Sequence, residues 1–475
     1  MGEVRVRGMD GDRLLPLEAV DALRSEVTGD VVLPGEPGYE DARTIWNAMI
    51  DRHPGLVVRC MNAQDVVSAV RFARDHELLV AVRGGGHNIA GTAVCDDGLL
   101  IDLSQMKHVE VDADARIVRV DPGVTLGELD RATQPYNLAV PTGINSTTGI
   151  AGLTLGGGFG WLSRKYALTA DSLISADIVT ADGEHRRIDS HNEPDLFWAI
   201  RGGGGNFGVV TSFEFRLHPV GPEVLSGLIV HPFRNVEPLL RFYRDFCASA
   251  PDELSAWVVM RKAPPLPFLP PAVHGTEVVV LAACYVGNLD DGRNALAALR
   301  EYGEPIADVI APHRFADWQS TFDPLLAPGA RNYWKSAYLD LSDGAIEALI
   351  RGVEQLPDPQ CEIFIAQMAG ATTRVPTDAT PFTYRSTPFN MNVHARWDDA
   401  TRDTTCIGWA RNIYEAVRPH ASEGVYINFL TEEETHRVQP AYGANYTRLV
   451  EVKNRYDPIN LFRINQNIRP TTVFA

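Results

Sequence analysis

The 475-residue chain predicts an α+β protein in two domains. Three observations lead there. The length exceeds the roughly 250–300 residues at which one hydrophobic core stops growing. Up to about residue 220, short apolar runs alternate with helical patterns in a stretch dense in glycine loops. From about 223 to 409 the glycine clusters vanish, and strand-like runs with helices between them suggest an antiparallel sheet covered by helices on one face.

Taken in order, Asn62 with Asp65 opens an amphipathic helix carrying Val66, Val67, Val70 and Ala73. The runs 78–82 and 99–103 read as short buried strands. Val109–Asp112 and Ile117–Val120 flank a polar turn and form a hairpin, and Thr125 caps a helix from Leu126 to about Gln134. Asp182-Gly183 turns a second hairpin between 178–180 and a partner starting near Arg186. In the second region, 257–260, 278–281, 361–365 and 389–397 read as strands, with helices over 291–302 and 343–355. The proline-rich run 264–271 cannot join a ladder and reads as a surface loop. The tail carries a helix from Asn445 to Tyr456, stopped by Asp457-Pro458.

Bulk chemistry excludes several functions. A net charge of −18 argues against nucleic acid and anionic membrane surfaces as partners. No stretch approaches the ~18 consecutive apolar residues of a membrane span, and no export signal is visible, so a cytoplasmic protein is expected. The six cysteines show no C-x-x-C spacing, so no metal site is expected and the thiols read as structural.

The most informative segment is Arg83-Gly84-Gly85-Gly86-His87-Asn88. Successive glycines bring backbone N–H groups close to a bound group and suit a phosphate or pyrophosphate. Gripping phosphate needs no histidine. His87 therefore either decorates a glycine-rich turn or serves as a nucleophile, since an imidazole of pKa near ~6.5 is largely neutral at neutral pH. A second cluster runs from Thr142 to Gly160 and a third from Gly202 to Gly208. Three clusters suggest a large phosphate-bearing cofactor. No P-loop motif is present, and Gly156-Gly157-Gly158 fits the dinucleotide-binding spacing poorly, which argues against NAD as the main cofactor.

These segments, with Arg52-His53-Pro54-Gly55, Tyr426-Ile427-Asn428-Phe429, Tyr442-Gly443-Ala444-Asn445-Tyr446 and the close from Lys453 to Ile468, resemble the berberine-bridge-enzyme-like FAD-linked oxidases of the vanillyl-alcohol oxidase superfamily. The resemblance implies a PCMH-type FAD-binding fold with a central antiparallel-sheet substrate domain. It puts the FAD-binding domain at 1–222 (core about 48–222), the substrate-binding domain at 223–409, and a C-terminal segment, 410–475, returning to the FAD domain. FAD would be covalently held through His87. Relatives with a second link carry a cysteine where this chain has Asn145, so a single link is expected and Cys95 is a core thiol. The cofactor-binding set implied is Arg83, Gly84, Gly85, Gly86, His87, Asn88 and Gly91 from the first cluster. Pro141, Thr142, Gly143, Asn145, Thr148, Gly149, Gly152, Gly156, Gly157, Gly158 and Gly160 follow from the second, with Val179, Tyr426, Asn428, Asn465 and Asn467 beyond it.

The family's sugar oxidases place a tyrosine base where this chain has Phe429, a ring that cannot take a proton, so the resemblance does not supply that route to alcohol oxidation. Tyr426 and Asn428 remain as flavin-lining catalytic candidates. Alternation along 389–397 sets Asn390, Asn392, His394 and Arg396 on one face, either as a substrate wall or as a solvent-facing one. Gln367, Tyr384 and Arg385 are further wall candidates. Tyr333, Trp334 and Lys335 are placed near the substrate, where a lysine could stabilise negative charge. The implied activity is oxidation of a small-molecule substrate (a secondary metabolite, amine or alcohol) with O2 as acceptor. An oxygenating flavoenzyme of polyketide-type metabolism, a carbohydrate oxidase and a drug-sequestering flavoprotein are the alternatives. The oligomeric state is left open.

Overall fold

The computed structural model describes residues 2–471. Three sheets organise it. The first orders Asp30–Val32, Leu56–Arg59, Leu99–Asp102 and Val80–Arg83, the last three parallel and the first antiparallel to its neighbour. The helix Ala63–Asp75 links two of these strands. Asn62 caps it by accepting from the Asp65 amide, and Val66, Val67, Val70 and Ala73 are buried. The second sheet is antiparallel, in the order His185–Asp189, Leu173–Val179, Val209–Arg216, Ile117–Val120, Val109–Asp112.

The third sheet has eight antiparallel strands. Its path runs Ala307–Asp308, Glu223–Pro232, Glu277–Tyr285, Leu254–Lys262, Glu362–Gln367, Phe389–Trp397, Arg331–Leu339, with Ala311–Arg314 also paired to Glu223–Pro232. Helices Val236–Ser249, Leu289–Glu301, Asp343–Val353 and Asp403–Val417 cover one face. There Leu239, Leu296, Leu349 and Trp409 share a core with Met391, Val393 and Ala395. Each such large side chain contributes roughly 1.5–3 kcal/mol by leaving water. The opposite face looks onto the glycine loops.

The tail returns to the second sheet. Val425, Ile427, Leu430, Leu449 and Ile468 are buried in one core with Val118, Phe213 and Phe215. The helix Tyr446–Tyr456 is held by Lys453, whose Nζ lies 2.6 Å from Asp457 in full burial.

Several elements depart from the sequence reading. All nine residues of Phe389–Trp397 are buried, so the polar set at 390, 392, 394 and 396 does not face solvent. A covered sheet buries both faces, and alternation alone cannot tell an inner polar face from an outer one. Tyr333 to Ser336 belong to a strand, Arg331–Leu339. The helices Val236–Ser249 and Asp403–Val417 and the strand Glu223–Pro232 add further structure to this region. The proline-rich run is a loop with a single 3-10 turn, Pro271–Val273, but it is not purely surface, because Pro264, Leu266, Phe268 and Leu269 line the cavity described next.

Candidate active site

A cavity of about 390 Å³ lies between the glycine loops, the open face of the central sheet and the tail, a size usual for small-molecule sites. All three glycine clusters reach it: Gly84 to Asn88, then Gly143, Asn145, Thr148, Gly149 and Gly152, then Gly204, Gly205 and Gly208. Two clusters touch. A Cβ on Gly85 would sit 2.4 Å from the Gly149 amide nitrogen, so neither position tolerates a side chain. Gly152 and Gly205 differ, because a Cβ there would meet nothing within 4 Å. Among the described residues, no backbone N–H from Gly84 to Asn88 donates to a protein acceptor. Of the five, Gly86 is buried and the others are half-buried, and consecutive free amides of this kind suit an anion.

Other predicted cofactor residues stand behind this surface. Arg83 does not line the cavity. Its guanidinium pairs with buried Asp102 (Nε–Oδ1 3.0 Å) and donates to the carbonyls of Ala42 and Thr44, which pins the strand end that launches the glycine loop. Gly91 is likewise off the cavity, packed against Ile50 with φ +73°. The Pro141 carbonyl accepts from Thr169, and the Thr142 hydroxyl accepts from Gln319. Gly156 lies where a Cβ would strike the Asn428 amide at 2.2 Å. The Gly158 N–H donates to the Tyr426 hydroxyl, and Gly157 and Gly160 complete the same turn without reaching the cavity. Val179 is fully buried in the core with Val209. Asn465 lines the cavity whereas Asn467 does not.

His87 lines the cavity and stacks on Trp46, ring centroids 5.1 Å apart. Surrounding protein pushes its pKa down to about 4, so the ring is neutral at physiological pH. Its tautomer follows from its partners. The Asn145 Oδ1 accepts from the Thr147 amide (3.1 Å) and from the Thr147 hydroxyl (2.8 Å). That hydroxyl has spent its hydrogen, so at 3.0 Å from His87 Nε2 it accepts. Nε2 therefore carries the proton and Nδ1 the lone pair. Cys95, eight residues on, is buried, and burial pushes its thiol up to about 12.

The sheet wall is set by register. Arg261 pairs with Glu362, Glu362 with His394, and His394 with Trp334 across four strands. All four line the cavity. The neighbouring residues Tyr333 and Lys335 point to the helix-covered face instead, correcting their expected place beside the substrate. The Tyr333 hydroxyl donates to Glu433, and Lys335 Nζ lies 2.8 Å from Glu433 and 3.2 Å from Glu434. Strand alternation sends i and i+1 to opposite faces, and the apolar-looking Trp334 is the residue facing inward. Asn392 is fully buried but off the cavity surface, with neither side-chain polar atom partnered. Gln367, Tyr384 and Arg385 are also off the wall, bonded to the Ala256 amide, the Pro440 carbonyl and the Asp171 carboxylate.

Tyr426, Asn428 and Phe429 line the cavity from the tail. The Tyr426 hydroxyl accepts from Asn428 Nδ2 (2.9 Å) and from Gly158 N–H (3.1 Å), and burial raises it to about 12. It is a neutral phenol rather than a base. Phe429 packs edge-on against Tyr426, Trp334 and Phe159. The sequence reading missed Trp46, Arg261 and Glu362. Glu362 sits inside an apolar run with no polar alternation to mark it, and its place becomes visible only once the register aligns it with His394.

A family profile described as FAD binding domain matches residues 54–189, and one described as berberine and berberine like matches 425–469. An FAD-linked oxidoreductase of Dictyostelium discoideum is 31% identical over 460 residues, spanning 95% of this chain and 97% of its own. The (R)-6-hydroxynicotine oxidase of Paenarthrobacter nicotinovorans is 29% identical over 94% of this chain and 97% of its own. The crystal structure of 6-hydroxy-D-nicotine oxidase from Arthrobacter nicotinovorans superposes with a TM-score of 0.85 at 28% identity, covering 93% of this chain and 98% of that one. With its α+β fold, its glycine-lined cavity and a full-length relative at 31% identity, the chain belongs to the berberine-bridge-enzyme-like FAD-linked oxidoreductases.

Proposed function

We propose that the protein is an oxidase that carries FAD covalently on His87 and oxidises a small organic molecule, with O2 as final acceptor. The observation that carries this reading is the run of unpartnered amides from Gly84 to Asn88 ending beside a neutral, nucleophilic imidazole. The residues present fit the cofactor. Glycine backbone, rather than lysine side chains, lines the space a diphosphate would take, and Gly152 and Gly205 leave it open. Bound FAD supplies the hydride acceptor and the route to O2.

The chain's own groups divide the remaining work. His87 offers Nδ1 as the attaching atom, because Nε2 is engaged by Thr147. Trp46 holds the ring flat from one side. Asn428 and Tyr426 tie the tail to the second glycine segment through the Gly152 and Leu153 carbonyls and the Gly158 amide. Phe159, Trp257, Trp334, Phe364 and Phe429 line the substrate side with aromatic surface, which excludes water and offers few partners to a sugar. Flavin content, colour retained after denaturation, and peroxide release against a panel of phenols, amines and sugars test the reading. Purified protein that binds no flavin would end it.

A further inference from the structure

A buried acid stands behind the second glycine segment, away from the sheet wall. Asp130, on helix Leu126–Thr133, is 1% exposed. Its Oδ2 accepts from Gln319 Nε2 at 3.3 Å, and its Oδ1 has no partner. Gln319 closes helix Phe315–Gln319 and is also buried. The same nitrogen donates to the Gly143 carbonyl (3.1 Å) and the Thr142 hydroxyl (3.2 Å), while Gln319 Oε1 is without a partner. A carbonyl can only accept, so Gly143 fixes which end of the amide is nitrogen. Two joined, buried groups therefore carry one orphan oxygen each, and both oxygens are acceptors.

Buried oxygens left so are costly, and a buried carboxylate needs a counter-charge. None is at hand among the described residues. Arg131, the one charge acting on Asp130, is exposed on the same helix. Glu128, also on that helix, is paired with Lys107. Of the elements packed against the helix, strand Val109–Asp112 brings Glu110 and Asp112, and turn Gln134–Tyr136 brings Tyr136. Helix Phe315–Gln319 brings Asp317, with Arg314 at its start, and strand Leu138–Ala139 brings no titratable group. All five of these side chains are exposed. One hydrogen resolves the arrangement. Placed on Asp130 Oδ1, it satisfies Gln319 Oε1, while one Nε2 hydrogen goes to Oδ2 and the other to Gly143.

We infer that Asp130 is held as a neutral acid donating to Gln319 Oε1, and that this acid–amide pair positions the second glycine segment in the cavity. Neither residue lines the cavity; both act through Gly143, which does. Two residues on, Asn145 holds Thr147 against His87. Asp323 accepts from the Ser146 amide at 3.0 Å, so residues 319–323 grip the segment at 142–143 and again at 146. Burial pushes the Asp130 carboxyl up to about 7, above the ~3.9 of an unfolded chain. The folded protein binds the extra proton between those values. Its contribution to stability is therefore present below about 4 and lost as the pH rises through about 7. Above that, two acceptors face each other and the grip on Gly143 loosens.

The test compares wild type, as purified, with Asp130→Asn, whose amide can donate to Oε1 and accept from Nε2 without titrating. Urea unfolding is run at about pH 5 and about pH 8; the unfolding constant of wild type, relative to the variant, is expected to rise at least tenfold with pH. Near pH 6 wild type should show the infrared stretch of a protonated carboxyl that the variant lacks. Hydrogen exchange in the peptide spanning 140–149 should match between the two at about pH 5, and run at least threefold faster in wild type at about pH 8. A ratio independent of pH, no such carboxyl band, or equal exchange at the higher pH overturns the inference. So does an Asp130→Asn protein that cannot fold, since it keeps every hydrogen bond of the acid form. None of these readouts depends on flavin. A colourless preparation ends the oxidase reading and leaves this inference to stand or fall on its own.

Discussion

Thr147 is solvent-exposed, yet its hydroxyl is expected to set how fast flavin attaches to His87. It accepts from Nε2 at 3.0 Å while donating to Asn145 Oδ1 at 2.8 Å, and so holds the imidazole in the tautomer whose lone pair is on Nδ1. Thr147→Val keeps the shape and removes that acceptor. A hydrogen bond of this kind has a net worth of about 0.5–1.5 kcal/mol, which corresponds to roughly 2- to 13-fold in rate. Thr147 is solvent-exposed, so water can stand in for the lost partner and the lower part of that range is expected. The assay mixes FAD with apoprotein from riboflavin-starved cells, quenches in acid at intervals, and reads the flavinylated fraction by mass. Thr147→Ser should match wild type. Attachment by Thr147→Val at the wild-type rate, or a product linked through Nε2, would refute the tautomer assignment.

Other perturbations follow from the same geometry. Arg83→Ala leaves the Asp102 carboxylate buried without its partner and should destabilise the fold by about 3–5 kcal/mol, read from the urea midpoint; a change under about 1 kcal/mol would show that the pair does not anchor the loop. Gly152→Leu places a side chain in open cavity space, so the apoprotein should melt as wild type while FAD retention falls more than tenfold; full retention would place the cofactor elsewhere. His218, stacked on Tyr166 and lowered to about 4 by burial, is neutral when folded but protonates near ~6.5 when unfolded. The unfolded chain then binds more protons between those values, so its contribution to stability is present above about 6.5 and lost as the pH falls to about 4. Melting temperature should therefore drop less over that window in His218→Asn than in wild type, and parallel curves would contradict the assignment. Cys95→Ser should leave flavin attachment unchanged, as read by mass.

Legibility in the sequence tracked how local each signal is. The capped helix after Asn62, the hairpins at 113–116 and 182–183, and the strand at 389–397 depend on neighbours within a few positions, and the structure contains them. Glycine-rich segments were legible as closely packed loops because only glycine permits contacts such as that between Gly85 and Gly149, and all three reach the cavity. Facing was not legible. Whether Tyr333 and Lys335 or Trp334 look into the cavity depends on which face the helices cover, and Lys335 finds its carboxylates about a hundred residues away in the tail. Arg83 looked like part of an anion site because it abuts the glycines. Its partner Asp102 is brought alongside only by parallel pairing of Val80–Arg83 with Leu99–Asp102. Arg261 and Glu362, far apart in the chain, likewise meet only through strand register.

The attachment of flavin to His87 is tested most directly by mass analysis of the peptide that contains it, from protein purified under denaturing conditions. That peptide should carry the mass of FAD less two hydrogen atoms, with fragmentation placing the increment on His87 and none on the peptide holding Cys95. An unmodified His87 peptide from yellow protein, or an increment that survives His87→Ala, would contradict it.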